Sequence, residues 1–210
     1  MILHFFPVAP NPTKVRLYIA EKEIGGSSLG IDESLVNLQS GEQNSPEFLV
    51  RNPLGQLPAL ELDDGSCVVE SLAIIEYLEE LHPEPTMIGR NPRERARVRE
   101  LERICDIGVL ISIGRIVHAT RSPLGLPPSP EIAENAQEAL KRPLQLLDDC
   151  LADGRTFVAG SQPSVADCTL AAALQFGRFG EVALDPSLEN LHAWDRRFRE
   201  RPAAKAVLVV

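Results

Sequence analysis

The chain has 210 residues, of which 24% are charged and 44% are hydrophobic, as in an ordinary folded globular protein. Its formal net charge of −9 argues against non-specific binding to nucleic acid or to an anionic membrane, because both attract basic surfaces. No apolar run approaches the roughly 20 residues that span a bilayer, and the first residues do not resemble a signal peptide. The four cysteines are far apart and form no Cys-x-x-Cys pair, which indicates reduced thiols in a cytoplasmic protein.

The first part of the chain predicts short strands that alternate with helices. Residues 2–6 are expected to form an apolar strand, and a helix is expected at about residues 12–23. Asn11 is a good N-cap for this helix, and Pro12 is a good first helical residue because its missing N–H has no partner there. A weaker strand is expected within residues 29–35, before a polar loop that ends in a short helix.

Residues 52–81 carry the most informative pattern of the sequence, NPLGQLPALELDDGSCVVESLAIIEYLEEL. Asparagine, proline and glycine mark a turn at its start, and an Asp-Gly pair between two short apolar runs predicts a β-hairpin. From Ser71 the apolar period changes from two to 3.6, which predicts a helix. This helix is expected to bury Ile74, Ile75, Leu78 and Leu81 and to point Glu76, Glu79 and Glu80 away from the core.

Two dipeptides in this stretch suggest more than packing. Leu57-Pro58 stands directly before a strand, where a cis peptide bond would turn the backbone N–H and C=O of Leu57 toward an extended ligand. An ordinary trans turn proline is the alternative. Glu70-Ser71 stands where a strand meets the helix, so the serine either caps the helix only or also presents its N–H to an anion.

These motifs together carry a family resemblance. The pattern N-P-x-G-x-[LV]-P-x-L, an Asp-Gly hairpin and then E-S-x-A-I-x-x-Y-L resembles the N-terminal domain of the glutathione S-transferase family, in its cytosolic, bacterial-like form. The resemblance covers essentially the whole chain. It implies an α+β thioredoxin-like N-terminal domain plus an all-α C-terminal domain. We expect a glutathione-binding domain at residues 1–82, a linker at 83–91 and a helical domain at 92–210.

The resemblance also implies a set of glutathione-binding residues, namely Gln43, Gln56, Leu57, Pro58, Glu70 and Ser71. The backbone of Leu57 would pair with the cysteinyl part of glutathione. Glu70 would take the γ-glutamyl ammonium, and Ser71 would take the γ-glutamyl carboxylate. The two glutamines stand where related classes have a histidine and a lysine for the glycine carboxylate, which predicts weaker binding of that group. Solvated loop glutamines are the alternative interpretation.

The familiar thiol-activating groups of the family are absent. The strand tyrosine of one branch corresponds to Phe5, and the serine or cysteine of other branches corresponds to Ala9. Asn11 lies where the nu class, whose loop also reads Pro-Asn, has an asparagine near the sulfur, so Asn11 is the catalytic candidate. The alternative is that Asn11 only caps its helix. Thr13 and the positive end of the first helix are further candidates.

The rest of the chain predicts helices only. One long helix is expected at residues 92–118, charged in its first half and apolar in its second. After a proline-rich break, further helices are expected at residues 132–151, directly after Asp167 and at 188–201, followed by an apolar tail. Ser164 and Asp167 have the spacing of a capping box, which predicts a role in folding and stability.

In the family, the electrophile lies between the first-helix loop and the long helix of the second domain. The resemblance therefore implies a co-substrate pocket at Ala9, Ile111, Ser112, Arg115 and His118. A cationic and a polar side chain in this apolar stretch suggest an acidic or polar co-substrate. The alternative is a salt bridge and a hydrogen-bonded histidine. Family members commonly form homodimers, and the charged residues 93–103 would suit a polar contact between subunits.

The sequence therefore predicts a glutathione-dependent transferase that uses the thiolate of glutathione to attack a small electrophilic or disulfide co-substrate. Two alternatives stay open. One is a non-catalytic member that binds glutathione or a protein, which the missing hydroxyl at Ala9 favours. The other is a glutathione-dependent disulfide reductase or isomerase. No metal, nucleic acid or membrane partner is predicted, and the co-substrate is not specified because pocket residues vary freely on one fold.

Overall fold

A computed structural model describes all 210 residues, and its N-terminal part is built on one mixed sheet. Its strands are β1 (Ile2–Phe5), β2 (Asp32–Leu35), β3 (Ala59–Glu61) and β4 (Cys67–Val69), in the spatial order β2-β1-β3-β4. β1 pairs in parallel with β2 and antiparallel with β3, which pairs antiparallel with β4 across the predicted hairpin. The sheet confirms the thioredoxin-like arrangement.

Nine α-helices complete the fold, and the second half of the chain contains helices without a strand. They are α1 (Pro10–Ile24), α2 (Pro46–Leu49), α3 (Ser71–Leu81), α4 (Pro92–Arg103), α5 (Ile111–Arg121), α6 (Pro130–Leu151), α7 (Val165–Phe179), α8 (Glu189–Arg199) and α9 (Pro202–Val207). The all-α expectation is thereby confirmed. None of these helices is long and apolar enough to cross a membrane. The division of the chain at residues 83–91 stays a prediction.

The core runs through both parts of the chain. Helix α7 lies at its centre, with every residue from Val165 to Gly177 buried. One apolar cluster joins Leu3 and Leu60 of the sheet to Leu17 of α1 and Leu170 of α7. A smaller cluster, with Phe48 of α2, packs against Ala59 and Val69 of the sheet. Because α7 touches α1 directly, it can position the start of that helix.

The prediction that Asn11 caps the first helix was wrong. α1 begins at Pro10, so Ala9 is the N-cap and Asn11 is the second helical residue. A proline suits the first helical position, because its fixed φ matches the helix and its missing N–H would have no partner there. Pro10 meets this condition as well as Pro12 does. The asparagine side chain is consequently free to bond elsewhere.

Helix α3 has the predicted bounds, but two of its side chains were assigned to the wrong face. Leu81 is 49% exposed, because it lies in the last turn of the helix. Glu79 is only 4% exposed, since its carboxylate accepts a hydrogen bond from Tyr18 and pairs with Lys22. Ser71 is the first helical residue, and Glu70 takes the N-cap position that the serine was expected to fill.

Other boundaries also differ from the prediction. The long helix is interrupted by a π-helical segment at Ile104–Leu110 and continues to Arg121. At this segment Gly108 packs closely on α6, since a Cβ at Gly108 would lie 2.8 Å from Pro143. The predicted apolar tail contains α9, which is anchored on α1 because Arg201 donates to both carboxylate oxygens of Glu21 at 2.6 and 2.5 Å.

The predicted capping pair at the start of α7 is confirmed. Asp167 is fully buried, and its Oδ2 accepts from the N–H of Ser164 at 2.9 Å and from the Ser164 hydroxyl at 2.7 Å. Its Oδ1 accepts from the Val158 N–H at 2.8 Å and from Trp194 Nε1 at 3.2 Å. Burial raises the pKa of Asp167 to about 6, although these four hydrogen bonds act in the opposite direction.

We expect Asp167 to make the protein less stable as pH rises from 4 to 6. The folded-state pKa lies above the ordinary value of 3.8, so in this range the folded state binds more protons than the unfolded state. The contribution amounts to about 3 kcal/mol across the range. Urea unfolding of the wild type and of Asp167→Asn at several pH values measures this contribution. The unfolding free energy of the wild type minus that of Asp167→Asn should fall as pH rises.

Asp185→Asn provides the matched control for this titration. Asp185 is exposed, and hydrogen bonds from Ser187 lower its pKa rather than raise it. Its replacement should therefore remove a contribution of the opposite sign, which grows with pH. A wild-type-minus-Asp167→Asn difference that stays constant with pH would show that the Asp167 carboxyl does not titrate with a raised pKa.

Candidate functional site

The first turn of α1 contains one backbone donor without a partner. Pro10 and Pro12 have no N–H, and the N–H groups of Ala9 and Thr13 bond to Phe6 O and Ala9 O at 3.2 and 3.1 Å. The Asn11 N–H has no acceptor in the protein. The two prolines thus leave a single free N–H at the positive end of the helix, which is a site that favours an anion.

The side chain of Asn11 adds a second donor at this place. Its Oδ1 accepts a hydrogen bond from the Ser71 hydroxyl at 3.3 Å, and this bond links the start of α1 to the start of α3. Nδ2 makes no hydrogen bond in the protein, and the residue is half-buried. The structure therefore excludes the cap-only interpretation and brings two predicted site residues into contact.

The start of α3 offers a second set of unpaired groups. The N–H groups of Ser71, Leu72 and Ala73 have no acceptor in the protein, as expected for the first turn of a helix. Glu70 precedes them, and its exposed carboxylate forms neither an ion pair nor a hydrogen bond. Its φ of 71° is rare for a residue with a side chain, and such strained conformations cluster at functional sites.

The segment before β3 carries an unpaired backbone group as well. The Leu57-Pro58 peptide bond is cis, and neither the N–H nor the C=O of Leu57 bonds to the protein. Buried Asn52 fixes this turn, because its Nδ2 donates to Gln56 O at 2.8 Å and its Oδ1 accepts from the Leu54 N–H at 3.0 Å. The sequence marked Asn52 only as a turn residue, so its positioning role was missed.

The two predicted glutamines lie on neighbouring segments. Gly55 packs on the loop that holds Gln43, since a Cβ at Gly55 would lie 2.9 Å from Asn44 Oδ1 and 3.2 Å from Gln43 O. The positive φ of 61° at Gly55 also favours glycine. Gln43 Oε1 is buried without a hydrogen-bond partner, whereas the Gln56 side chain is exposed. An orphaned buried amide at this place suits a polar ligand.

The predicted co-substrate residues lie along α5, apart from Ala9. Ile111 and Arg115 are exposed, and Ser112 is buried. Arg115 forms no ion pair within the chain. His118 is half-buried, its Nδ1 lies 3.0 Å from the Ser122 hydroxyl, and burial lowers its pKa, so its ring is neutral at neutral pH.

Helix α7 connects these residues to the start of α1. The ring of His118 packs against Phe176, with 6.0 Å between the centroids. The preceding residue, Gln175, donates to the Thr13 hydroxyl at 3.1 Å. Thr13 in turn donates to Ala9 O at 2.9 Å. Both halves of the predicted site are thus held by one buried helix, although α5 contributes no direct hydrogen bond to the first turn of α1.

A separate groove lies away from these residues. It measures about 840 Å³ and is lined by the end of α1, the 85–90 segment, the start of α4 and the 157–164 loop. None of the predicted site residues lines it. Its cations are mostly paired, as in the contact between Arg201 and Glu21, so the groove offers no evident binding chemistry of its own.

The chain thus combines a thioredoxin-like sheet, a helical second half and unpaired donors at the starts of two helices. The family model for the glutathione S-transferase N-terminal domain matches residues 3–86, and that for the glutathione S-transferase C-terminal domain matches residues 112–202. The chain belongs to the glutathione S-transferase family.

Individual relatives support this assignment over the full length. The chain is 32% identical to glutathione S-transferase 2 of Saccharomyces cerevisiae over 215 aligned residues, which cover 100% of this chain and 90% of that protein. The crystal structure of Gtt2 from the same yeast superposes with a TM-score of 0.89 at 31% identity, covering 99% and 100% of the two chains. A glutathione S-transferase from Methylobacillus flagellatus, crystallised with glutathione bound, superposes with a TM-score of 0.84 at 27% identity, covering 100% and 99%.

Proposed function

We propose that this protein is a glutathione-dependent transferase, which activates the thiol of bound glutathione at the start of α1. The observation that carries the proposal is the pair of free donors on Asn11, its backbone N–H and its Nδ2, next to Ser71. A thiolate at this point would meet two hydrogen-bond donors and the positive end of a helix. Neither a tyrosine, a serine nor a cysteine would then be required.

The groups around Asn11 support a specific orientation for glutathione. The free carboxylate of Glu70 suits the γ-glutamyl ammonium, and the unpaired N–H groups that begin with Ser71 suit the γ-glutamyl carboxylate. The unpaired backbone of Leu57 suits the cysteinyl peptide groups. Gln43 and Gln56 then face the glycine end, where two neutral amides give weaker binding than cations would.

The thiol chemistry follows from these donors. A thiol becomes a good nucleophile when its pKa falls from about 8.5 toward neutral pH, which helix N-termini and hydrogen bonds to the thiolate both promote. Asn11 provides both kinds of stabilisation, while Ala9 leaves room because it has no larger side chain. The thiol proton passes to solvent when the thiolate forms. Attack of the thiolate on an aryl halide would form a thioether C–S bond and expel the halide. Attack on a disulfide would break its S–S bond, form a mixed disulfide and release the other half as a thiolate.

The co-substrate, the assembly and the location form the finer part of the proposal. The co-substrate would lie between Ala9 and α5, where Ile111 is exposed, the His118 ring is neutral and Arg115 has no anionic partner. An electrophile with an apolar body and an acidic or polar end suits this combination. A cytoplasmic homodimer, with residues 93–103 near the contact, is proposed from the family resemblance and the charge of α4.

The test is a pH titration of the thiolate ultraviolet absorbance of glutathione bound to the protein. We expect a bound thiol that ionises about one to two pH units below free glutathione, which corresponds to about 1.4–2.8 kcal/mol of thiolate stabilisation. Asn11→Ala should raise this pKa by about one unit, because it removes one donor and leaves the backbone N–H. Asn135→Ala, an exposed asparagine on α6, serves as the control.

The same titration decides between the alternatives. Bound glutathione whose thiol ionises as in free solution would contradict a transferase and favour the non-catalytic member. An ionised thiol would leave the reaction type to turnover assays with an aryl halide and with a disulfide. Turnover of the disulfide but not of the aryl halide would indicate a disulfide reductase instead of a conjugating transferase.

A further inference from the structure

Gln175 of α7 is a fully buried amide that joins two distant parts of the chain. Its Nε2 donates to Thr13 Oγ1 at 3.1 Å and lies 3.5 Å from Pro7 O, both at the turn that leads into α1. Its Oε1 accepts from the N–H of Val209 at 2.7 Å, in the extended segment after α9. A single side chain therefore connects the first turn of α1 to residues 208–210.

These contacts fix the direction of the amide. The Val209 N–H can only donate, so it requires the oxygen of Gln175. The nitrogen must then face Pro7 O, which can only accept, and the Thr13 hydroxyl, which donates to Ala9 O at 2.9 Å or to Pro7 O at 3.1 Å. A reversed amide would lose the bond from Val209 and would place its oxygen against Pro7 O. The arrangement of the turn and that of the segment are therefore coupled.

Pro7 O belongs to the turn that leads into α1. Pro7 precedes the N-cap Ala9, so the N–H of Asn11, the second helical residue, has no helix carbonyl to bond to. Thr13 donates to Pro7 O at 3.1 Å and Gln175 Nε2 lies 3.5 Å from it, so both side chains hold this turn. The position of the turn therefore determines where the free N–H of Asn11 lies.

A second side chain of α7 holds the same segment. Arg178, one helical turn after Gln175, donates from Nε to Val210 O at 3.1 Å and from a terminal nitrogen to Asp195 at 3.1 Å. The backbone of Leu208 is extended, with φ −76° and ψ 136°. Residues 208–210 are thus fixed against the central helix at two points.

We propose that Gln175 is a positioning residue for thiol activation. It holds Thr13 and the turn at Pro7, positions the free Asn11 N–H for the sulfur of glutathione, and makes this arrangement depend on the segment at residues 208–210. The proposal rests on the proposed use of Asn11 as the thiol-stabilising group. Gln175 itself touches neither glutathione nor the reacting atoms.

The coupling is tested first in the protein without glutathione. Val209→Pro removes the N–H that donates to Gln175 Oε1. A proline is compatible with this position because the extended backbone of Leu208 already suits a residue before proline. Val209→Ala keeps that N–H and is the matched control. Amide hydrogen exchange at Thr13 should rise about five- to tenfold in Val209→Pro but not in Val209→Ala, with the strands β1 and β3 unchanged. Equal exchange in both variants would overturn the coupling.

The effect on chemistry is tested with glutathione bound. Gln175→Met keeps the length of the side chain and removes all of its hydrogen bonds, so the thiol pKa of bound glutathione should rise by about one unit. The affinity for glutathione should change less, because the γ-glutamyl contacts remain. Cys168→Ala, a buried truncation on the same helix, controls for lost stability and should leave the thiol pKa unchanged.

The two proposals fail in different ways. If the wild type ionises bound glutathione and Gln175→Met does so at the same pH, the positioning role is wrong and the transferase proposal stands. If the wild type does not ionise the thiol, the transferase proposal and the catalytic part of this inference both fail. The hydrogen-exchange comparison still decides whether residues 208–210 are coupled to the first turn of α1.

Discussion

Replacement of Glu79 by glutamine should lower the free energy of unfolding by about 3–5 kcal/mol, the loss that follows when one partner of a buried ion pair is removed. Lys22 is fully buried, and its Nζ lies 2.7 Å from Glu79 Oε2. Tyr18 donates its hydroxyl hydrogen to the same oxygen at 2.6 Å. The introduced amide would keep the shape of the side chain but would leave the ammonium of Lys22 without a counter-charge.

The other carboxylate oxygen makes the substitution more costly. Glu79 Oε1 accepts from the Thr86 hydroxyl at 2.8 Å and from the Met87 N–H at 2.9 Å. An amide has one oxygen and one NH₂ group. In either orientation, the NH₂ group would face the two donors that one carboxylate oxygen of Glu79 accepts from. The burial of Tyr18 beside this carboxylate raises the pKa of its phenol, so the tyrosine stays protonated and donates across the whole physiological range.

Chemical unfolding of Glu79→Gln and Glu80→Gln measures the effect. Glu80 is the next residue on the same helix, is exposed and forms no ion pair, so its replacement should change stability by about 0.5 kcal/mol or less. Similar losses in both variants would mean that the buried ion pair contributes little to folding. A loss confined to Glu79→Gln would show that this carboxylate anchors the segment that leads out of the N-terminal part.

The misassignment of Glu79 illustrates a limit of sequence patterns. Glu79 follows Ile75 by four residues, so helical spacing alone places it on the buried face, and only its charge argued for the solvent. A carboxylate can be buried when enough donors surround it. Here Tyr18 and Lys22 come from α1 and two further donors come from the 86–87 segment, and nothing in the local sequence reveals that these groups converge.

The candidate binding groups could be selected from the sequence because they lie close together in it. Leu57-Pro58 and Glu70-Ser71 each occupy a fixed place in a pattern of turn, hairpin and helix. The residues beside them are of the types that such turns require. The activating group was harder to assign. Pro10 and Pro12 are equally good first helical residues, so the sequence could not decide whether Asn11 caps α1 or lies within it.

Long-range partners account for what the sequence missed. Gln175 contacts Thr13 across 162 residues, and a glutamine in an apolar helix gives no indication of its partner. The π-helical segment at Ile104–Leu110 was missed for a related reason. One wider turn changes the apolar spacing of a long helix very little. The pattern therefore predicts a continuous helix even where the hydrogen bonding of the backbone changes.

Replacement of Glu70 by glutamine should weaken glutathione binding by about 1.5–3 kcal/mol, roughly 10- to 150-fold, which is the usual range for a hydrogen bond to a charged group. The Glu70 carboxylate is exposed and has no partner within the chain, so its charge is available to a ligand. The substitution keeps the Cβ and the length of the side chain. The φ of 71° and the stability of the fold should therefore be unaffected.

A ligand variant makes this experiment specific to the ammonium. Isothermal titration calorimetry compares glutathione with its analogue that lacks the γ-glutamyl amino group, on the wild type and on Glu70→Gln, with Glu80→Gln as the control. If Glu70 holds the ammonium, the analogue should lose affinity on the wild type but lose little more on Glu70→Gln, since the two changes remove the same contact. If the losses from the substitution and from the ligand analogue are additive, the ammonium lies elsewhere and the proposed orientation of the γ-glutamyl group is wrong. An unchanged affinity in Glu70→Gln would contradict the whole assignment of this site.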